Sequence, residues 1–530
     1  MGVSWIDYLV MVLYFAGMAY AGVYFARRNT STEEYFLGNR AFPGWAIGIS
    51  LVGTSISSNS FLGIPADSYK TSWIRFAFSL GFPLAVFAGA YLFLPFYRRG
   101  KVTSAFEYLE ARFGPSTRLY GALAFLISQV TRLAMVLYLL ALMFATVTGL
   151  DPTICILLCG VFVAFYTVAG GIEAVVWTDV VQTIVLAVGA VLCLVAVVQA
   201  LPGGFGEIVS VGLAHDKLAF RELMPDGSLR QASWTFSLSE KTALMIFFVG
   251  LTHFMAEYAC NQNVVQRYCA SANMHEARKA LFVSCIASLG MWIFFYFLGT
   301  AFYVYYQAHP DSAADGMLTG ARKAEEILPY FISQKLPAGL TGIVLAAIFA
   351  AAMSSLDSSI NAIATVSVVD VYRRHLVKHR DDKHYLSVAR WIGIAASVMM
   401  IGGAWVFLVS ESKTIAETGL IISSIIAGGL LGLYLLGFLT RIGDARSVGI
   451  AIGCTVLWSA YMTFIQYDTA LPEWLRIPES LRLPIDVYYT GVIGHIVMFI
   501  AGYAMGLLLP RKPRDLTNLT VWTQDRTPLV

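Results

Sequence analysis

The feature that most limits this chain is the recurrence of apolar runs long enough to cross a bilayer, about 13 of them at about 20 residues each. In the 530-residue sequence they fall near 5–26, 44–67, 73–97, 119–149, 152–169, 174–200, 241–267, 280–307, 337–370, 387–409, 413–437, 446–467 and 485–509. Lipid offers the backbone no hydrogen-bond partners, so each run must satisfy its own amides and carbonyls as a helix. The expected fold is an all-α integral membrane protein in one polytopic unit. Longer polar stretches are few: 201–240, 309–336, 371–386, 468–484 and the tail from Arg511. Composition agrees, with 58% hydrophobic and 13% charged residues and a mean hydropathy of +0.68. That charge is too sparse to cover a soluble protein of this size.

Several function classes lose support. The net charge is +3, and no basic run is interleaved with aromatics as a nucleic-acid surface requires. There is no Walker loop and no nucleophile elbow, so ATP-driven pumping and hydrolysis have no local motif, and an enzyme is not expected. The seven cysteines, Cys155, Cys159, Cys193, Cys260, Cys269, Cys285 and Cys454, lie in or beside apolar segments without disulfide or zinc spacing. They read as buried thiols. No small-residue cleavage site follows the first run, which reads as a membrane helix rather than a removable signal.

Basic residues set an orientation. With the N-terminus outside, the inner side collects Arg27, Arg28, Arg40, Arg98, Arg99, Lys101, Arg112, Arg118, Arg267, Arg278, Lys279, Arg373, Arg374, Lys378, Arg380, Lys383, Arg390, Arg441, Arg446, Arg511, Lys512, Arg514 and Arg526. The balance is roughly 23 inside to about 12 outside, with Arg132 left in the membrane. The C-terminus is expected in the cytoplasm.

Function in a membrane bundle shows where polar groups are tolerated at a cost. The second run holds Gly53, Thr54, Ser55, Ser57, Ser58, Asn59 and Ser60, with Pro65 after them. These residues favour an interrupted helix, whose freed carbonyls suit a cation and a polar solute; the alternative is a small-residue packing seam. The ninth run places Ser354, Ser355, Asp357, Ser358 and Ser359 within two turns, behind Ala350, Ala351 and Ala352. Hydroxyls with one carboxylate suit a small hard cation, or else interhelical hydrogen bonds. Asp179 has no basic neighbour in sequence. Inside the membrane it must be neutral, salt-bridged or metal-bound, unless it is a water-exposed residue at a helix start. Arg132 stands about 13 residues into its run, roughly 20 Å along a helix. So deep a guanidinium needs an anion, either a solute carboxylate or Asp357 or Asp179. His253, Glu257, Asn261, Gln262 and Asn263 make the seventh run polar enough to line the same cavity.

The segments EEYFLGNR, TSAFEYLEARFG, GGIEAVVWTDVVQ, NQNVVQRY and AAMSSLDSSINAIATVSVVDVY, with the Ser/Asn-rich second run, resemble the sodium/solute symporter family in order and spacing. The resemblance covers nearly the whole chain and is strongest to the bacterial sodium-coupled sialic acid transporters. It implies a LeuT-like fold of two inverted five-helix repeats with broken first helices. Here the repeats would cover about 44–200 and about 241–437, flanked by helices at 5–26, 446–467 and 485–509. It implies one sodium site from Gly53, Ile56, Ala351, Ser354 and Ser355, and a second from Asp179, Ser355, Asp357 and Ser358. Asp357 stands where that family has a serine. Solute contacts map to Ser55, Ser57, Ser60 and Arg132, with Ser79 in place of a glutamine and Arg75 in place of a nearby aromatic.

The expected activity is sodium-coupled symport of a small polar organic solute, a carboxylated sugar such as sialic acid, by alternating access in the cell inner membrane. One or two Na+ ions travel with it. Rival readings are a sodium symporter for a neutral sugar, or for a monocarboxylate or vitamin, in which Arg132 pairs with a protein acid. A transporter-like sensor or channel is more distant, because about twenty residues after the last run are too few for an output domain. The expected partners are an anionic solute and the lipid bilayer; no nucleic acid and no obligate protein partner is indicated.

Overall fold

The computed structural model describes residues 4–27, 30–100, 102–224, 228–409, 428–468, 473, 476–510 and 514–525. Arg28, Lys101, Arg511, Lys512 and Arg526 of the expected inner set lie outside these residues, as does most of the expected span at 413–437.

The helices that build the bundle are α1 (Trp5–Ala26), α2 (Gly44–Ser55), α3 (Ser58–Lys70), α4 (Phe76–Arg99), α5 (Phe106–Arg112), α6 (Pro115–Thr148), α7 (Pro152–Ala200) and α8 (Gly204–Ala214). After them come α9 (Ala243–Cys260), α10 (Gln262–Ala270), α11 (Met274–Ala308), α12 (Leu340–Val366), α13 (Asp382–Val409), α14 (Leu430–Leu439), α15 (Ala445–Gln466) and α16 (Thr490–Leu508). A short antiparallel hairpin, β1 (Arg221–Leu223) with β2 (Leu229–Gln231), lies between α8 and α9. Among the described residues ten helices are long and apolar enough to cross a membrane, or eleven spans when the bent pair α2–α3 counts as one. The expected 13 are not all met. One reason is the segment near 413–437. The other is α7, a single 49-residue helix where two spans were expected. Its length, roughly 70 Å, is more than twice the hydrocarbon core. It is broken at Gly171, with φ 59° and ψ −161°, in the gap between the two expected runs. That left-handed φ and the Tyr35 ring and carbonyl packed against the α-carbon both require glycine.

Two helices break at mid-bundle. Between α2 and α3, Ile56 (φ −101°, ψ 101°) and Ser57 (φ −92°, ψ 172°) are extended, and the axes bend by 59°. The hydroxyls of Thr54 and Ser55 turn back onto the carbonyls of Ser50 and Leu51, which weakens the last turn of α2. The seventh expected span is likewise two helices, α9 and α10, which meet at Asn261 (φ −79°, ψ 120°). The Asn261 side chain accepts from Asn263 N at 2.9 Å and donates to Glu257 Oε2 at 2.7 Å, fixing the break from both sides.

α12 is the axis of the bundle, nearly all of it buried, with α7, α1 and α6 packed around it. Asp7 of α1 accepts the amides of Gly339 and Gly342 at the start of α12, both at 2.7 Å. α11 runs beside both halves of the first broken helix. Glu276 accepts from Gly44 N at the start of α2, at 2.5 Å. Farther along, Gly299 lets the Pro65 carbonyl of α3 come close, and Ser68 Oγ donates to Tyr296 O at 2.7 Å. Lys217, after α8, donates to the carbonyls of Tyr69 (2.9 Å) and Thr71 (2.8 Å) and so closes the end of α3.

At the opposite end, Arg118 bridges Asp370 and Glu110, each at 2.7 Å, and Arg374 joins Glu110 at 2.5 Å. Besides Arg118, two other arginines of the expected inner set are buried rather than water-facing, Arg112 and Arg267, each 1% exposed. Arg112 donates to the carbonyls of Thr440 and Ile442 past the end of α14. Arg267 lies in the bundle core, as described below. Of the seven cysteines six are buried, but Cys454 is exposed on α15, a helix with an outward apolar face.

Candidate ion and solute site

The break in α2–α3 meets the serine-rich turns of α12. Ser354 Oγ donates to the Gly53 carbonyl at 2.8 Å and approaches the Ala351 carbonyl at 3.3 Å. A Cβ at Gly53 would lie 2.8 Å from Thr183 Oγ1, so a side chain there would have to displace that hydroxyl. Ile56 is the residue at which the helix ends. Ser355, beside Ser354, is 2% exposed, and its hydroxyl oxygen has no hydrogen-bond partner. An orphaned buried hydroxyl one residue from the Ser354 contact to the Gly53 carbonyl leaves an oxygen free for a hard monovalent cation. The structure thus brings Gly53, Ala351, Ser354 and Ser355 to one place at the helix break.

A second cluster lies one helix turn farther along α12. Asp179 is fully buried and salt-bridged, not exposed at a helix start. Its Oδ2 accepts from Arg267 Nη2 at 2.8 Å and from Ser50 Oγ at 2.6 Å, while its Oδ1 has no partner. The same Arg267 nitrogen donates to Ser358 Oγ at 2.7 Å, Nε reaches Ser50 Oγ at 2.8 Å, and Nη1 reaches the Asn263 carbonyl at 2.7 Å. Asp357, also fully buried, accepts from Tyr166 OH at 2.9 Å and Ser358 Oγ at 3.3 Å. The Gln182 carbonyl oxygen is buried without a partner. Two buried carboxylates thus lie in one cluster, Asp179 paired with Arg267 and Asp357 bonded to Tyr166 and Ser358. Arg132 is not the partner of either carboxylate.

The residues expected to touch solute are spread along the break and its surroundings. Ser55 is exposed, with its hydroxyl turned to Leu51 O at 2.8 Å; Ser57 is half-buried. Ser60 lines a cavity of about 840 Å³ together with Asp67, Arg75 and Tyr296. Ser79 is buried on α4, and its neighbour Phe78 packs on the His253 ring with centroids 5.4 Å apart. Arg132 is half-buried within electrostatic reach of His253. It makes no hydrogen bond or ion pair among the described residues. The side chains of Ser58 and Asn59 lie outside the description. His253, Glu257 and Asn261 do line a cavity, of about 410 Å³, with Ser128 and Gln129 of α6. Gln262 and Asn263 do not line it; both are buried, and Gln262 bonds the backbone of Thr103 and Ala105.

Sequence reasoning missed Arg267, Tyr166, Gln182 and Ser50. Arg267 had one available signal: a buried Asp179 must find a cation somewhere in the fold.

The Sodium:solute symporter family profile matches residues 35–444. The sodium/sialic acid symporter NanT of Aliivibrio fischeri is 32% identical over 501 residues, covering 94% of this chain and 92% of NanT. SiaT, the sodium/sialic acid symporter of Proteus mirabilis, is 32% identical over 521 residues, covering 97% of this chain and 98% of SiaT. A solved outward-open, substrate-bound Na+-coupled sialic acid symporter with an additional Na+ site superposes with a TM-score of 0.84 at 30% identity, over 96% of this chain and 99% of that one. The fold is therefore LeuT-like, and the two interrupted helices are its broken first helices. The chain belongs to the sodium:solute symporter family and is a multi-pass membrane transporter that moves a small solute together with sodium, not an enzyme.

Proposed function

We propose that this chain imports a polyhydroxylated carboxylate of the sialic acid class across the inner membrane, with its N-terminus outside and its C-terminus in the cytoplasm. The observation that carries the solute reading is Arg132: a guanidinium at membrane depth, half-buried and without an ion pair to a carboxylate among the described residues. The two related sialic acid symporters support it. In this reading the solute's carboxylate docks on Arg132, its hydroxyls meet Ser55, Ser57 and Ser60, and Ser79 borders the pocket. The rival in which Arg132 pairs with a protein acid loses its candidates, because Asp179 is held by Arg267 and Asp357 by Tyr166.

Sodium binds between Gly53, Ile56 and Ala351 carbonyls and the hydroxyls of Ser354 and Ser355. A second ion uses Asp179 Oδ1, Ser355, Asp357 and Ser358; the unpaired Oδ1 supports it. Ion binding orders the break and favours the outward-open state that accepts solute, because only differential affinity moves such an equilibrium. Closure of the outer gate and opening of the inner one then release ion and solute together. A potential of about 100 mV contributes about 2.3 kcal/mol per charge moved inward, so two ions supply about 4.6 kcal/mol. That sustains accumulation of over a thousandfold, at about 1.4 kcal/mol per decade.

Counterflow in proteoliposomes, with labelled sugar acids, neutral sugars and monocarboxylates, tests the reading. Sugar-acid exchange that requires sodium is expected, and Arg132→Ala should abolish it while sodium still binds. Unchanged apparent affinity in that variant would make Arg132 structural.

A further inference from the structure

The cavity of about 840 Å³ does not end at Ser60. On α3, Asp67 follows Ser60 by seven residues, which places it on the same face and about 10 Å farther along the helix. Asp67 and Arg75 line the same cavity as Ser60, and Arg75 Nε lies 3.2 Å from Asp67 Oδ1. This pair is half made. The Arg75 side chain is 61% exposed, and its two terminal nitrogens have no partner among the described residues. Asp67 Oδ2 is buried with no hydrogen-bond partner. A closed structural ion pair would use both carboxylate oxygens and a guanidinium fork. Here the two Arg75 nitrogens are left facing the water of the cavity, while Asp67 Oδ2 is unpaired and buried.

We propose that Asp67 and Arg75 form an outer solute subsite two turns above Ser60, which holds a polyhydroxylated acid before it reaches Arg132. The inference rests on the solute reading above and adds a residue pair that selects within it. Arg75 takes the carboxylate or a hydroxyl oxygen through its free nitrogens. Asp67 accepts a hydrogen bond from a solute hydroxyl. Both demands are met only by a solute with acceptors and hydroxyl donors close together. A carboxylate without hydroxyls gains Arg75 but leaves Asp67 without a donor from the solute. Tyr296 lines the cavity, and its ring packs against Trp73 and Phe76, giving a rigid wall for the apolar face of a sugar ring.

The test is initial-rate uptake by the full chain in proteoliposomes at saturating sodium, with labelled N-acetylneuraminate and with acetate, which has no hydroxyls. Asp67→Asn, Arg75→Gln and Arg75→Lys are compared with wild type. Arg75→Lys keeps the charge and the bond to Asp67 but loses the fork. The expected result is that all three raise KM for the sugar acid about tenfold, the scale of a charge-assisted hydrogen bond. The maximal rate, the sodium dependence and any acetate uptake should be unchanged. A KM in Arg75→Lys equal to wild type, or an equal loss for both solutes, overturns the subsite and makes the pair structural. Absence of sugar-acid uptake by the wild type overturns the solute reading and the subsite together, so the two failures are distinguishable.

Discussion

Arg267 Nη2 lies 2.8 Å from Asp179 Oδ2 and 2.7 Å from Ser358 Oγ, so one nitrogen joins α10, α7 and α12 in the bundle core. The guanidinium thereby fixes Asp179 and Ser358, two of the four expected second-site residues, and still leaves Asp179 Oδ1 without a partner.

Removing either partner of this pair strands a buried charge. Arg267→Gln or Asp179→Asn is expected to destabilise the protein by about 3–5 kcal/mol. The double variant should be less damaged than the sum of the two, because neither member of the pair is left without the other. Thermal unfolding of the purified protein in detergent, with all four members of the cycle, measures the coupling. Strict additivity would mean that the two side chains act independently.

Ser355 offers a hydroxyl with no competing protein partner. Ser355→Ala should leave folding intact and raise the half-saturating sodium concentration for uptake about threefold to tenfold, the scale of one ligand contact. Ser354→Ala should cost more, because it also releases the clasp on the Gly53 carbonyl. A sodium activation curve unchanged in Ser355→Ala removes that residue from the ion site.

Gly171 combines a positive φ with a close approach from Tyr35. Gly171→Ala is expected to lower stability by about 1–3 kcal/mol. Gly290, with open space around its α-carbon, is the control position, and Gly290→Ala should be neutral or slightly stabilising. Equal melting temperatures for both variants would show that the break in α7 tolerates a side chain.

Glu110 lies between spans, where the Arg374 hydrogen bond, with Arg118 beside it, holds its carboxylate below the usual glutamate range. A depressed folded-state value stabilises the protein fully above the ordinary value near 4.3 and loses that contribution as pH falls through the lower one. Glu110→Gln should therefore melt earlier than wild type at neutral pH, with a loss of about 1 kcal/mol, because solvent screens this partly exposed pair. The gap should close as the solution is acidified below about pH 4. A gap that persists at low pH would assign the effect to packing.

Where the sequence changes character locally, the fold could be read from it. Gly53 to Ser60 is poor in helix formers and rich in hydroxyls that compete for backbone carbonyls, and the break falls there. The adjacent glycines at 170 and 171 marked the interruption of α7. What depended on partners distant in sequence was hidden. Arg267 ends a polar stretch at the edge of an apolar run, the usual place of a basic residue at the membrane surface. Only the short re-entry of α10 after Asn261 carries it into the core. Asp179 gave no local sign of its partner, because that partner is 88 residues away.

The grip of α11 on the first broken helix restricts how the transporter can move. The amide of Gly44 is tied to Glu276 at one end, and the Pro65 carbonyl is seated on Gly299 toward the other. With no side chain at that contact, there is little slack for sliding before backbone meets backbone. The joint at Ile56 is thus splinted. Tilting of α3 alone would have to peel it from Gly299, so the cheaper stroke carries α3 and α11 together as one lever and places the bending elsewhere.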